Sequence, residues 1–102
     1  MKKSEWEKIK ANTTPWDASE YLDSEEKITA FLNAVFEEDG DDPAFIAKAF
    51  GHVAKARGMT QLAKKIKMSR SALYAALSGE GNPEFATILK VARGLGIKLR
   101  VA

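Results

Sequence analysis

The sequence predicts an all-α domain of five helices that ends in a short β-strand. Apolar residues recur every three or four positions in separate stretches, as they do on one face of a helix. Residues that start and stop helices bound those stretches, and only the last six residues alternate between apolar and polar side chains. The predicted helices cover residues 24–38, 43–57, 60–66, 70–78 and 83–93, and the predicted strand covers residues 97–101.

The first two helices have clear start signals. Asp23 and Glu26 form a capping-box-like pair before the first helix. Asp42 is placed to cap the second helix, with Pro43 at its first position and Gly58 at its end. The apolar residues expected on the buried face of the first helix are Ile28, Leu32, Val35 and Phe36.

The end of the chain combines a helix with an alternating segment. Asn82 and Pro83 repeat the cap-and-proline start, and Gly94 and Gly96 end the helix. Its expected inward residues are Phe85, Ile88, Leu89 and Ala92. A lone strand leaves its backbone groups unpaired, so we expect the strand to pair with its own copy across a dimer axis. The expected dimer contacts are Ile97, Leu99 and Val101, and the alternative is an irregular tail over the helices.

Length and composition fit one domain over residues 15–102, preceded by a flexible arm over residues 1–14. The chain has no cysteine, which excludes disulfides and zinc–thiolate sites. No apolar run approaches the roughly 20 residues of a membrane span, so a cytoplasmic protein is expected. With one isolated histidine, His52, no catalytic group, metal site or cofactor site can be assembled. We therefore expect a protein that is not an enzyme.

Charge divides the chain into two halves. Residues 1–58 carry 8 Lys/Arg against 12 Asp/Glu, whereas residues 59–102 carry 8 against 2. The second half is therefore suited to a phosphate backbone, and the first half is not.

Residues 60–79 predict a helix-turn-helix. Two short helical stretches are separated by a break at residues 67–69, and Ser69 is placed to cap the second. The outward residues include Lys64, Lys65, Lys67 and Arg70 and no carboxylate. An ordinary helical hairpin with a solvated basic face is the alternative. The cap, the break and the uniformly positive charge together favour DNA binding.

A compact group of large side chains precedes the first helix. Asp17 can cap a short helical turn, and Trp16, Tyr21 and Leu22 lie close to it in the chain. These side chains either pack onto the domain or form an anchor for a protein partner.

Three stretches together resemble a known family: MTQLAKKI at residues 59–66, SRSALYAALSGEGNPEFATILKVARGLGIKL at residues 69–99, and WDASEYL at residues 16–22. They resemble the Cro/C1-type (XRE-like) helix-turn-helix repressors and, more narrowly, the HigA-type addiction-module antidotes, or antitoxins. The resemblance implies a five-helix domain that dimerises, binds double-stranded operator DNA and represses its own operon. It also implies neutralisation of a RelE/ParE-superfamily toxin, generally an mRNA-cleaving ribonuclease.

The resemblance also implies roles for individual residues. Arg70, Ser71 and Tyr74 should face the major groove, while Thr60 and Gln61 should meet phosphate. The full set of expected DNA contacts is Thr60, Gln61, Lys64, Lys67, Ser69, Arg70, Ser71 and Tyr74. Lys67 departs from the family because glycine often holds that turn position. If the position needs a positive φ, lysine costs on the order of 1 kcal/mol relative to glycine.

The toxin is expected to contact the acidic first half, at Trp16, Asp17, Tyr21 and Leu22. Residues 17–42 carry ten carboxylates against the single Lys27, which complements a basic RNA-binding toxin. A phage-type or other XRE-like repressor without a toxin partner is the alternative function. An adjacent gene for a basic RelE-like protein would distinguish the two.

Overall fold

A computed structural model describes residues 21–80 and 84–100 of the chain. Within these residues the structure is all-helical, with five helices and no strand. None of these helices is long and apolar enough to cross a membrane. Each helix begins and ends within two residues of its predicted bounds. The helices are α1 (Glu25–Asp39), α2 (Pro43–Arg57), α3 (Met59–Lys65), α4 (Arg70–Ala76) and α5 (Phe85–Gly94).

The helix starts confirm one predicted cap and correct another. Asp42 Oδ1 accepts hydrogen bonds from two backbone N–H groups of the first turn of α2, at 3.1 and 3.2 Å, and Pro43 is the first helical residue. The prediction that Asp23 caps α1 is wrong. Ser24 is the cap, and its hydroxyl accepts the backbone N–H of Lys27 at 3.2 Å. The Asp23 carboxylate instead pairs with the ammonium of Lys27 at 3.0 Å.

Helix α2 is the centre of the fold, because α1, α3 and α5 all pack against it. Apolar side chains from all five helices form one continuous core. No polar or charged residue among those described is buried. The largest side chains that are fully buried are Phe31, Val35, Phe50, Val53, Leu73 and Val91.

Two predicted core residues are exposed. Phe36 is 43% exposed and Phe85 is 63% exposed. Phe36 lies about 80° around the helix axis from Ile28, at the edge of the buried stripe of α1. Phe85 is the first residue of α5, which begins two residues later than predicted, and it extends past the buried part of the helix. Asn82 and Pro83, the predicted start of α5, lie outside the described residues.

The predicted strand is wrong over the residues that the structure describes. Two backbone bonds close the end of α5, from the N–H of Gly96 to the carbonyl of Arg93 at 3.0 Å and from the N–H of Ile97 to the carbonyl of Ala92 at 2.8 Å. Residues 98–100 form no backbone hydrogen bond with any other described residue. A strand needs a partner with which to form a ladder, and the described part of one chain offers none. The predicted last residue, Val101, lies outside that part.

Candidate nucleic-acid interface

Helices α3 and α4 form a unit in which four residues, 66–69, connect two short helices. Leu62 and Ala63 on α3 are buried, as are Leu73 on α4 and Leu77 just after it. These apolar side chains belong to the core, so the opposite faces of both helices lie in solvent. This arrangement is the one predicted from the apolar spacing of residues 60–79.

The connection between the two helices is closed by the backbone. The N–H of Met68 donates to the carbonyl of Ala63 at 3.0 Å, and the N–H of Lys67 donates to the carbonyl of Lys64 at 3.3 Å. This pair of bonds is the Schellman motif, which needs a residue in the left-handed region after the helix cap. Lys67 holds that position with a φ of 58°. The turn therefore does need a positive φ at Lys67, which is the case in which lysine is less favourable than glycine.

Ser69 caps α4 as predicted. Its backbone is extended, and its hydroxyl accepts the N–H of Ala72 at 3.0 Å. The cap fixes Arg70 and Ser71 in the exposed first turn of α4. Tyr74 follows one turn later and is 42% exposed. The guanidinium carbon of Arg70 lies 5.7 Å from the centroid of the Tyr74 ring, so the two side chains act as a pair.

Helix α3 adds cations and polar groups to the same unit. Thr60 and Gln61 are exposed in its first turn, and Lys64 and Lys65 are exposed in its last turn, where the helix dipole favours positive charge. Residues 59–77 contain no carboxylate. We call the exposed side of α3, the turn and α4 the basic face. It carries all eight predicted DNA contacts in solvent-exposed positions: Thr60, Gln61, Lys64, Lys67, Ser69, Arg70, Ser71 and Tyr74.

The predicted toxin-binding residues are only partly described. Trp16 and Asp17 lie outside the described residues. Leu22 is 3% exposed and belongs to the core, and Tyr21 is half-buried against that core. The ammonium of Lys27 lies 5.8 Å from the Tyr21 ring centroid. For Leu22 the structure favours the alternative of packing onto the domain.

The predicted dimer contacts differ from one another in their surroundings. Ile97 is half-buried against the core of its own chain, whereas Leu99 is 41% exposed. Two aromatic residues that the sequence assigns to the core, Phe36 and Phe85, are exposed and line the same surface cavity as Leu99. Their positions at the edge of an apolar stripe and at the first turn of a helix are signals that could have identified them.

Comparison with known proteins identifies the family of the chain. The family model described as probable addiction module antidote protein matches residues 12–102. An uncharacterized protein of Haemophilus influenzae is 44% identical over 86 residues, which cover 84% of this chain and 87% of that protein. No solved structure matches the chain. An antidote has a toxin as its partner in general, and this chain belongs to the family of probable addiction module antidote proteins.

Proposed function

We propose that the chain is the antitoxin of a type II toxin–antitoxin module, which neutralises a RelE/ParE-like toxin and represses its own operon. The observation that carries the proposal is the basic face, exposed and free of carboxylates, on a chain of the antidote family. Both roles are binding roles in the cytoplasm, and neither requires the chain to catalyse a reaction.

The proposed DNA contact is a helix-turn-helix in which α4 enters the major groove. Arg70 is the first residue of α4, where recognition helices contact base edges. Its guanidinium can bind the edge of a guanine through two hydrogen bonds. Ser71 and Tyr74 supply further base or phosphate contacts. A dimer would place two such helices about 34 Å apart and so bind a palindromic operator.

The rest of the basic face would hold the phosphate backbone. Thr60 and Gln61 can donate hydrogen bonds to phosphate oxygens, while Lys64 and Lys67 add a charge attraction that weakens with salt. These contacts position the protein without selecting a sequence.

The proposed toxin contact uses the opposite charge. Helix α1 exposes Glu26 in its first turn and Glu38 near its end, against the single cation Lys27. A basic ribonuclease toxin would be attracted to this helix, which speeds association. Separate surfaces would then serve DNA and toxin.

Two measurements test the proposal. Co-expression of the chain should restore growth to cells that express a basic RelE-like protein from an adjacent gene, and the purified chain should bind a fragment of its own promoter. Promoter binding without rescue would favour the alternative, an XRE-like repressor with no toxin partner. Rescue without promoter binding would remove operon repression from the proposal.

A further inference from the structure

A groove of about 730 Å³ runs beside α1 and α5 on the surface of the fold. Both helices pack against α2, and residues 95–100 after α5 form part of the groove lining. Four large apolar side chains are exposed among the described residues, and three of them line this groove: Phe36, Phe85 and Leu99. The fourth is Tyr74, on α4.

This clustering indicates a protein interface. Single exposed apolar residues are ordinary, but neighbouring ones around a concave surface mark sites that a partner covers. No residue of α3 or α4 lines the groove. A partner bound there would therefore leave the basic face open to DNA.

Charge selects the kind of partner. The groove lining includes an ion pair between Glu25 and Arg57, and beside it Glu37 from α1 and two cations, Lys98 and Arg100, from the segment after α5. A basic partner would be repelled by the two cations. A second copy of this chain brings the same two signs of charge, and a two-fold axis lets each sign face its opposite.

The segment after α5 provides a second reason to choose a copy of the chain. Residues 98–100 have no backbone hydrogen bond to other described residues, and Leu99 is 41% exposed. A second copy seated in the groove would cover this segment and Leu99 on both chains.

We propose that this groove binds a second copy of the chain across a two-fold axis, with Phe36, Phe85 and Leu99 of each copy buried against the other. The inference deepens the proposed function, whose operator-binding form is a dimer, by naming the face that forms it. Its test needs neither DNA nor toxin, so it can fail while rescue and promoter binding succeed.

The experiment is sedimentation equilibrium of the full chain and of two groove variants, Phe85→Glu and Leu99→Glu. The wild type should have twice the chain mass of 11.2 kDa, and both variants should shift to the single mass with unchanged helical circular dichroism. Tyr74→Glu is the matched control, because it adds the same charge at the exposed apolar residue outside the groove. It should keep the double mass.

A charge-reversed variant tests the choice of partner. Glu37→Lys leaves Glu25, which pairs with Arg57, as the only carboxylate of the groove lining. The variant should raise the dimer dissociation constant about tenfold at low salt, with a smaller effect at high salt. An unchanged constant at low salt would overturn the charge argument. Groove variants that keep the double mass would overturn the proposal itself.

A wild type of single mass would also overturn it, and two further measurements would then identify the occupant. Loss of toxin binding in Phe85→Glu would assign the groove to the toxin. Both tryptophans of the chain, Trp6 and Trp16, lie in residues 1–20. A red shift of tryptophan emission in Phe85→Glu would therefore assign the groove to that segment of the same chain.

Discussion

The guanidinium carbon of Arg70 lies 5.7 Å from the centroid of the Tyr74 ring, one helical turn further along α4. A cation above an aromatic face at an exposed site gains about 0.5–1 kcal/mol. The contact restricts the rotamers of Arg70 before any ligand arrives, which lowers the entropy lost on binding. We therefore expect Tyr74 to position Arg70 for the proposed DNA contact.

The positioning role predicts that the ring of Tyr74 matters more than its hydroxyl. Tyr74→Ala should weaken binding to the promoter fragment about two- to fivefold, which corresponds to the 0.5–1 kcal/mol of the stacked pair. Tyr74→Phe keeps the ring and should bind almost as well as the wild type. Fluorescence anisotropy with labelled promoter DNA measures both. If Tyr74→Phe is as weak as Tyr74→Ala, the hydroxyl contacts DNA and the positioning role is wrong.

Arg70 itself should determine both affinity and sequence preference. Arg70→Ala should cost about 1–3 kcal/mol of binding free energy and relax discrimination at one base pair. Arg70→Lys keeps the charge but loses the bidentate hydrogen bonding to a base. It should therefore recover affinity for non-operator DNA while discrimination between base pairs stays low. Lys27→Ala on α1 is the matched control for the loss of one positive charge. An equal loss on all sequences for Arg70→Ala would show that Arg70 contacts only phosphate.

Leu73 should anchor α4 to the core. Its side chain is fully buried, and it is the only residue of this seven-residue helix that is. Leu73→Ala should lower the free energy of unfolding by about 2–5 kcal/mol, as measured by urea denaturation. In the Phe85→Glu background, which we expect to be monomeric, Leu99→Ala makes the same chemical change at a residue that is 41% exposed. There it should cost less than about 1 kcal/mol. Equal losses in a monomeric sample would contradict the assigned burial.

Local signals explain why so much of this fold could be predicted. Caps depend on one side chain and the next three backbone groups, so Asp42 and Ser69 could be identified without tertiary information. The same holds for the buried stripe of α2, which includes Phe50 and Val53. Local signals do not distinguish Asp23 from Ser24 as the cap of α1, because both residue types cap well and only the backbone geometry decides between them.

The remaining wrong predictions concern whether a neighbouring element covers an apolar side chain. Helical periodicity gives the direction of a side chain and not whether a neighbouring element covers it, so Phe36 and Phe85 were both assigned to the core. The alternation of residues 97–101 indicates a strand only when a partner strand is present. Both errors fall on residues that line the same groove, and neither periodicity nor alternation shows what covers a side chain.

The turn before α4 and the end of α5 use the same Schellman geometry with different residues. Gly96 holds the left-handed position after α5, with a φ of 75°. Lys67 holds it after α3, with a φ of 58°. A side chain in this region costs about 1–2 kcal/mol, and part of that is offset by the extra freedom of glycine in the unfolded state. Lys67→Gly should therefore raise the free energy of unfolding by about 0.5–1 kcal/mol, as measured by urea denaturation.

Gly96→Ala is the converse test, because an added Cβ there meets no atom within 4 Å and only the backbone conformation opposes it. It should lower stability by about 1 kcal/mol. If Lys67 contacts phosphate, Lys67→Gly should also weaken promoter binding on all sequences and reduce the salt dependence by about one unit of slope. A variant that is more stable and binds DNA with unchanged affinity and slope would show that Lys67 makes no phosphate contact. A less stable variant would instead show that the lysine side chain supports the turn.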